Sequence, residues 1–328
     1  MSHNHNSWGW MLALDFFFGG MGASMLVIAG IADLFLGAGK TSLLGDFMGP
    51  VFVACGAGLL TFELGRPFQA WRVFVNSQAM LTKGAWTMTL CIVFGFAYFG
   101  IEFLPIAPGL ISAYFGIEIL PIVSGFASAS FGIETLPWRG LAALRQVLAV
   151  LCIITGLVVA IYPGILLGRL KSCPLWNGPG LMALFLLSSL ATGIAAHIVC
   201  GLILPAVANG VLERLPLLLA ALLFSQFILW AAYIWIKITG TTEQEAEAAR
   251  RWTRGGRYAA LFKIGFMLFG TVLPLILFFF ANPIAEAVAA LLVIFGGAIM
   301  RNLVLYSGQD GTGAPAILGP VLTNVRTE

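Results

Sequence analysis

Charge is scarce in this chain, so the few ionisable and hydrogen-bonding side chains that border its apolar runs stand out. Asp15 follows Trp8-Gly-Trp10 by about one helical turn, and Glu63 and Arg66 close a second apolar run. Lys83 and Trp86 open a third, and Tyr162 closes a fourth ahead of Arg169, Lys171, Trp176 and Asn177. If each run crosses a bilayer, alternation of direction brings all of these groups to one face. An acid, a base, a phenol and several indoles at one bilayer edge can hydrogen-bond the two carbonyls of a quinone and relay its protons. Singly, each has a plainer explanation: Glu63 and Arg66 as an i,i+3 pair, Tyr162 as an aromatic-belt residue.

A second set lies within or near the apolar runs: Asp33, His197 and Glu286, with Glu63 at the rim. A charged group at membrane depth costs roughly 2.5–3.5 kcal/mol unless it is paired or functional. These four are therefore candidates for a proton route. The structural alternative is that they make buried helix contacts.

The elements that must position these groups follow from composition. Of 328 residues, 60% are hydrophobic and 9% charged, against roughly 25% charged in soluble domains, and the mean hydropathy is +0.98. A hydrocarbon core of about 30 Å needs about 20 apolar residues per helix. Eight such runs are present, at Met11–Leu36, Phe47–Leu64, Gly84–Leu104, Leu141–Tyr162, Pro179–Leu204, Pro216–Lys237, Tyr258–Phe280 and Pro283–Tyr306. Strand-like alternation is absent, so the expected fold is an all-α polytopic membrane protein with eight transmembrane helices. Its expected division is a first bundle over residues 1–163, a second over 164–306 and a polar tail, 307–328.

Four of the 17 basic residues (Lys40, Arg139, Arg145 and Arg214) fall on one face and the other thirteen, Arg301 among them, on the opposite face. By the positive-inside rule the thirteen, and both termini, are cytoplasmic. A tandem repeat separates the third and fourth runs: Phe99-Gly-Ile-Glu102 recurs as Phe115–Glu118 and Phe131–Glu134. It reads either as a duplicated apolar loop or as a segment whose glutamates line a proton path. The stretch Thr239–Arg257 is polar, with Glu247 and Arg251 at the favourable i,i+4 spacing. It fits a solvated helical loop or a docking site for a partner.

Several chemistries are excluded. Two-histidine haem ligation needs a pair of histidines inside the bilayer, and only His197 lies in a span; His3 and His5 are on the leading tail. The five cysteines have neither iron–sulfur nor zinc spacing. Gly37-Ala-Gly39-Lys40-Thr41 lacks the first glycine of a phosphate loop. A net charge of +3, dispersed along the chain, gives no nucleic-acid footprint.

At the polar positions the chain resembles the NrfD/polysulfide-reductase membrane-subunit family. The matching stretches are Trp8 to Gly20, Leu64-Gly-Arg66-Pro67 with Lys83-Gly-Ala-Trp86, Tyr162-Pro-Gly with Lys171 to Asn177, and Arg301 to Gly308. The resemblance implies a subunit without redox centres or catalytic residues of its own. It would be partnered by an iron–sulfur subunit and often a molybdopterin catalytic subunit, and would exchange electrons with menaquinone or ubiquinone. It further implies a quinone pocket between the first four helices, at the end facing the iron–sulfur partner. Tyr162 matches the tyrosine of that pocket and Asp15 the corresponding part of helix one.

Together these readings give a quinone-reactive anchor of a respiratory molybdoenzyme in the bacterial inner membrane. The expected quinone-binding residues are Tyr162, Asp15, Trp10, Trp8, Arg66 and Lys83. Many relatives turn the pocket end to the periplasm. The charge count turns it to the cytoplasm here, as in sulfite-oxidising complexes. A secondary transporter and a purely structural anchor are the alternatives. A transporter requires a midplane site and repeated halves.

Overall fold

The computed structural model describes residues 9–37, 41–63, 80–103, 138–169, 173–177, 180–204, 214–240, 242–280 and 282–309. Trp8, Arg66, the second and third repeat copies and the end of the tail lie outside the described residues. Among the described residues, eight helices are long and apolar enough to cross a membrane.

We number the helices in chain order. Seven of the spanning helices are α1 (Trp10–Leu36), α2 (Leu43–Glu63), α3 (Met80–Phe103), α4 (Trp138–Gly168), α5 (Gly180–Ile203), α6 (Leu215–Thr239) and α9 (Pro283–Gln309). The other, α8 (Arg257–Phe278), has a π-helical middle, Leu261–Val272. The polar stretch after α6 folds as a short amphipathic helix, α7 (Glu243–Thr253). The eight spans agree with those read from hydropathy to within a few residues.

Two helix ends differ from expectation. Pro163 does not terminate α4, which continues to Gly168 with the proline inside it. In lipid there is no water to satisfy a broken backbone, so a helix tends to continue through a proline that its neighbours support. At the other end of the bundle, α2 begins at Leu43 and takes Asp46 into its first turn.

Helix α1 is the axis of the molecule. It packs against α2 and α4 on one side and against α5 and α9 on the other, and its side chains are buried almost throughout. Spans that face lipid look different: Trp10, Trp86 and Trp235 are exposed, as amphipathic rings near a bilayer surface should be. Trp176 departs from that pattern. It is fully buried, its indole donating to the Val304 carbonyl at 2.9 Å.

Candidate functional site

The first four helices have two ends. Helices α1 and α3 start, and α2 and α4 finish, at the end that carries Trp10, Lys83 and Tyr162. Asp15 enters from α1 and is 2% exposed. Its side chain faces α2 at Gly56, where an added Cβ would lie 3.0 Å from Oδ1. Tyr162 enters from α4 and lies against α3 at Gly84, where any Cβ would collide with the phenol ring. Only glycine at 84 lets the ring occupy this place.

Both groups are short of partners. Asp15 Oδ1 and the Tyr162 hydroxyl are buried and find no hydrogen-bond partner among the described residues. Asp15 is also the acidic group close enough to act electrostatically on the Tyr162 phenol. An unsatisfied buried polar group costs about 1–3 kcal/mol, so two of them together mark a place where a ligand or water completes the bonding. Phenol and carboxylate form a donor–acceptor set, which suits a ligand bearing a carbonyl or hydroxyl on an apolar ring. That donor set fits a quinone headgroup.

The other candidate quinone-binding residues, and the four proton-route candidates, distribute differently. Trp10 and Lys83 reach the same end but are exposed. Glu63 is the last residue of α2, also at this end. Asp33 lies at the far end, in an ion pair of 2.6 Å with Arg145 of α4. His197, on α5, is fully buried, with Nε2 at 2.9 Å from the Met25 carbonyl. Glu286 stands in the first turn of α9. No hydrogen bond among the described residues links Asp33, His197 and Glu286 to one another.

Trp176 and Asn177, grouped by sequence with the pocket, belong to a different network. Asn177 donates to Glu245 of α7 at 3.0 Å, and Lys237 of α6 pairs with the same carboxylate at 2.7 Å. Lys237 also donates to the Asn177 carbonyl, and the Tyr233 hydroxyl to that of Leu175. Stacking of Trp230 on Trp252 completes the attachment of α7. The expected Glu247–Arg251 pair is present on its outer face at 3.6 Å.

Arg301 corrects the charge count, for it sits inside the bundle and not at a basic face. It is fully buried. Nε donates to the Phe16 carbonyl, Nη2 to Ser189 Oγ, and Nη1 to both Ser188 Oγ and the Gly297 carbonyl, at 2.9–3.2 Å. Phe17 and Phe185 present ring faces to the guanidinium, at 5.6 and 6.0 Å. On α1, Gly20 leaves room for it, since a Cβ there would stand 3.0 Å from Nη2. Arg301 thus clamps α9 and α5 to α1 one residue from Asp15. An arginine this close to a run's end is indistinguishable by sequence from a rim residue.

An eight-span helical membrane protein with an underbonded acid–phenol pair at one end of its first four helices is the class that fold and site define. The family described as polysulphide reductase, NrfD, matches residues 1–311, and the chain belongs to it. Among its relatives, the C subunit of polysulfide reductase from Wolinella succinogenes is 26% identical over 330 residues, covering 95% of this chain and 97% of that protein. Protein NrfD of Escherichia coli K12 is 24% identical over 321 residues, covering 92% and 95%.

Proposed function

We propose that this chain is the quinone-reactive membrane subunit of a respiratory iron–sulfur molybdoenzyme complex, passing electrons between a partner iron–sulfur subunit and the quinone pool. The observation that carries the reading is the pair of buried, unpartnered groups, Asp15 Oδ1 and the Tyr162 hydroxyl, set into α1–α4 at one end. Membership of the polysulphide reductase family supports the assembly with redox partners.

A quinone, menaquinone or ubiquinone, supplies two-electron, two-proton redox chemistry when bound. The protein's own contribution is orientation and proton handling. The Tyr162 hydroxyl donates a hydrogen bond to a ring oxygen. Asp15 accepts a proton from, or returns one to, the bound ring. Packing of α1 against α2 at Gly56 and of Tyr162 against Gly84 holds the two groups in register and excludes bulk water. Trp10 and Lys83 guard the lipid and aqueous approaches, joined in this reading by Trp8 and Arg66.

The excess of basic residues at the pocket end supports a cytoplasmic location for that end and for both termini, in the bacterial inner membrane. Removal of Arg301 from the count leaves the excess intact. The surface helix α7 and the 173–177 turn, pinned by Lys237 and Glu245, offer the partner subunits a rigid platform at this end.

The experiment is turnover of the intact complex with quinol or quinone, against turnover of its catalytic subunit with a soluble dye. Tyr162→Phe and Asp15→Asn are expected to impair the first and spare the second. Equal activity of the variants and the native complex with quinone would leave the chain a structural anchor.

A further inference from the structure

The end of the bundle opposite Asp15 and Tyr162 contains a second polar network, to which sequence reading contributed Asp33, the repeat glutamate Glu102 and, as a rim charge, Arg145. Asp33 comes from α1, Asp46 from α2, Tyr98 and Glu102 from α3 and Arg145 from α4. The first four are no more than 6% exposed. Asp33 is neutralised one-to-one by Arg145 at 2.6 Å. Tyr98 also hydrogen-bonds Asp33.

Asp46 is placed differently. Its side chain is in hydrogen-bond contact with that of Glu102, and none of the described groups acting on it is a cation. Thr41 gives its single hydroxyl hydrogen to Asp46 Oδ2 at 2.7 Å, and Oδ1 has no donor among the described residues. Two ionised carboxylates offer only acceptors, and like charges packed together in a low-dielectric slab cannot both ionise cheaply. A proton shared by the two supplies the hydrogen their contact requires and relieves the repulsion.

The other groups facing Asp46 do not remove this need. Cys152 of α4 and Cys200 of α5 are within electrostatic range, and both are free thiols. His197 presents Nδ1 to Gly45, the residue beside Asp46, but Nε2 donates its hydrogen to the Met25 carbonyl, so Nδ1 of the neutral ring can only accept and supplies no hydrogen to the carboxylates.

We propose that Asp46 and Glu102 hold one exchangeable proton between them, forming a proton-binding site at the face of the membrane opposite the Asp15–Tyr162 pair. Asp46 is in the first turn of α2 and Glu102 is the penultimate residue of α3, so both stand close to water. The Arg145 side chain, 16% exposed, opens the network to it. Asp33 is 18 residues along α1 from Asp15, about 27 Å at the helical rise of 1.5 Å. The site therefore exchanges with the other aqueous phase, and it stands whether or not the opposite end binds a quinone.

The test is infrared difference spectroscopy of the full chain in lipid nanodiscs during a pH change, in water and in deuterium oxide. A protonated-carboxyl stretch is expected in the native protein, shifted by deuterium and lost in Asp46→Asn or Glu102→Gln. Asp46→Glu, which keeps the carboxyl, should retain the band, and Thr41→Val should displace it without abolishing it. The proposal is overturned if the folded native protein shows no such band, if deuterium leaves it in place, or if it survives both amide substitutions.

Discussion

The two ends of helices α1–α4 use similar residues to opposite effect. At the far end each side chain has a partner, Asp33 with Arg145 and Tyr98, and Asp46 with Thr41 and Glu102, although Asp33 Oδ2, Asp46 Oδ1 and Arg145 Nε make no hydrogen bond among the described residues. At the near end, Asp15 Oδ1 and the Tyr162 hydroxyl have nothing to bond to among the described residues. Burial alone does not separate the two, since Asp15 and Asp33 are both almost fully enclosed. Partnership does. Linked side chains can hold charge and a proton among themselves, whereas in the reading proposed here the near pair takes its missing partner from a ligand.

The largest effect that bears on this contrast comes from the Arg301 clamp of α9 and α5 on α1. Arg301→Met removes four buried hydrogen bonds, each worth about 0.6 kcal/mol in a membrane, for a loss of about 2 kcal/mol. Thermal unfolding of the purified protein should register it, and quinone-analogue affinity should fall with it, because α1 carries both Phe16 and Asp15. Next in size is Tyr162→Phe. Loss of one hydrogen bond is expected to weaken a bound quinone analogue about tenfold, or about 1.4 kcal/mol, with no loss of thermal stability. That combination is the signature of an unpartnered hydroxyl, which contributes to binding and not to folding.

Asp33→Asn inverts the pattern. Weakening this largely buried pair, while leaving an amide oxygen to accept from Arg145, should cost about 1 kcal/mol of stability, read as a lower unfolding temperature, while analogue affinity stays at the native value. If Asp33→Asn weakened the analogue as Tyr162→Phe does, the two ends would not be separate sites. The smallest effect belongs to Glu247→Gln on the outer face of α7. Its exposed pair with Arg251 is worth a few tenths of a kcal/mol, and calorimetry should detect no more than that.

Much of this architecture is legible in the sequence, because a 30 Å slab imposes a length rule that hydropathy reads directly. All eight spans follow from it, as does the shared end of Asp15 and Tyr162. What hydropathy does not carry is which helices touch. It starts the second span at Phe47 and so leaves Asp46 in a loop, whereas α2 includes it in the first turn. Its third run, Gly84–Leu104, takes in Glu102, but only the packing of α2 on α3 joins that residue to Asp46. Likewise it counts Arg301 as a rim charge. The signal available for Arg301 is the serine pair Ser188-Ser189 and the glycine pair Gly19-Gly20, small and polar residues that leave room in the spans for a large donor.

Everything proposed for the near end rests on Asp15 and Tyr162 receiving a quinone headgroup. Photo-crosslinking of the intact complex with a photoreactive quinone analogue, followed by peptide mapping, measures this without relying on turnover. Labelling is expected on α1 near Asp15 and on the α3 and α4 segments around Gly84 and Tyr162, suppressed by excess natural quinone. Suppressible labelling at the Asp46–Glu102 end, or labelling that natural quinone does not reduce, would contradict it.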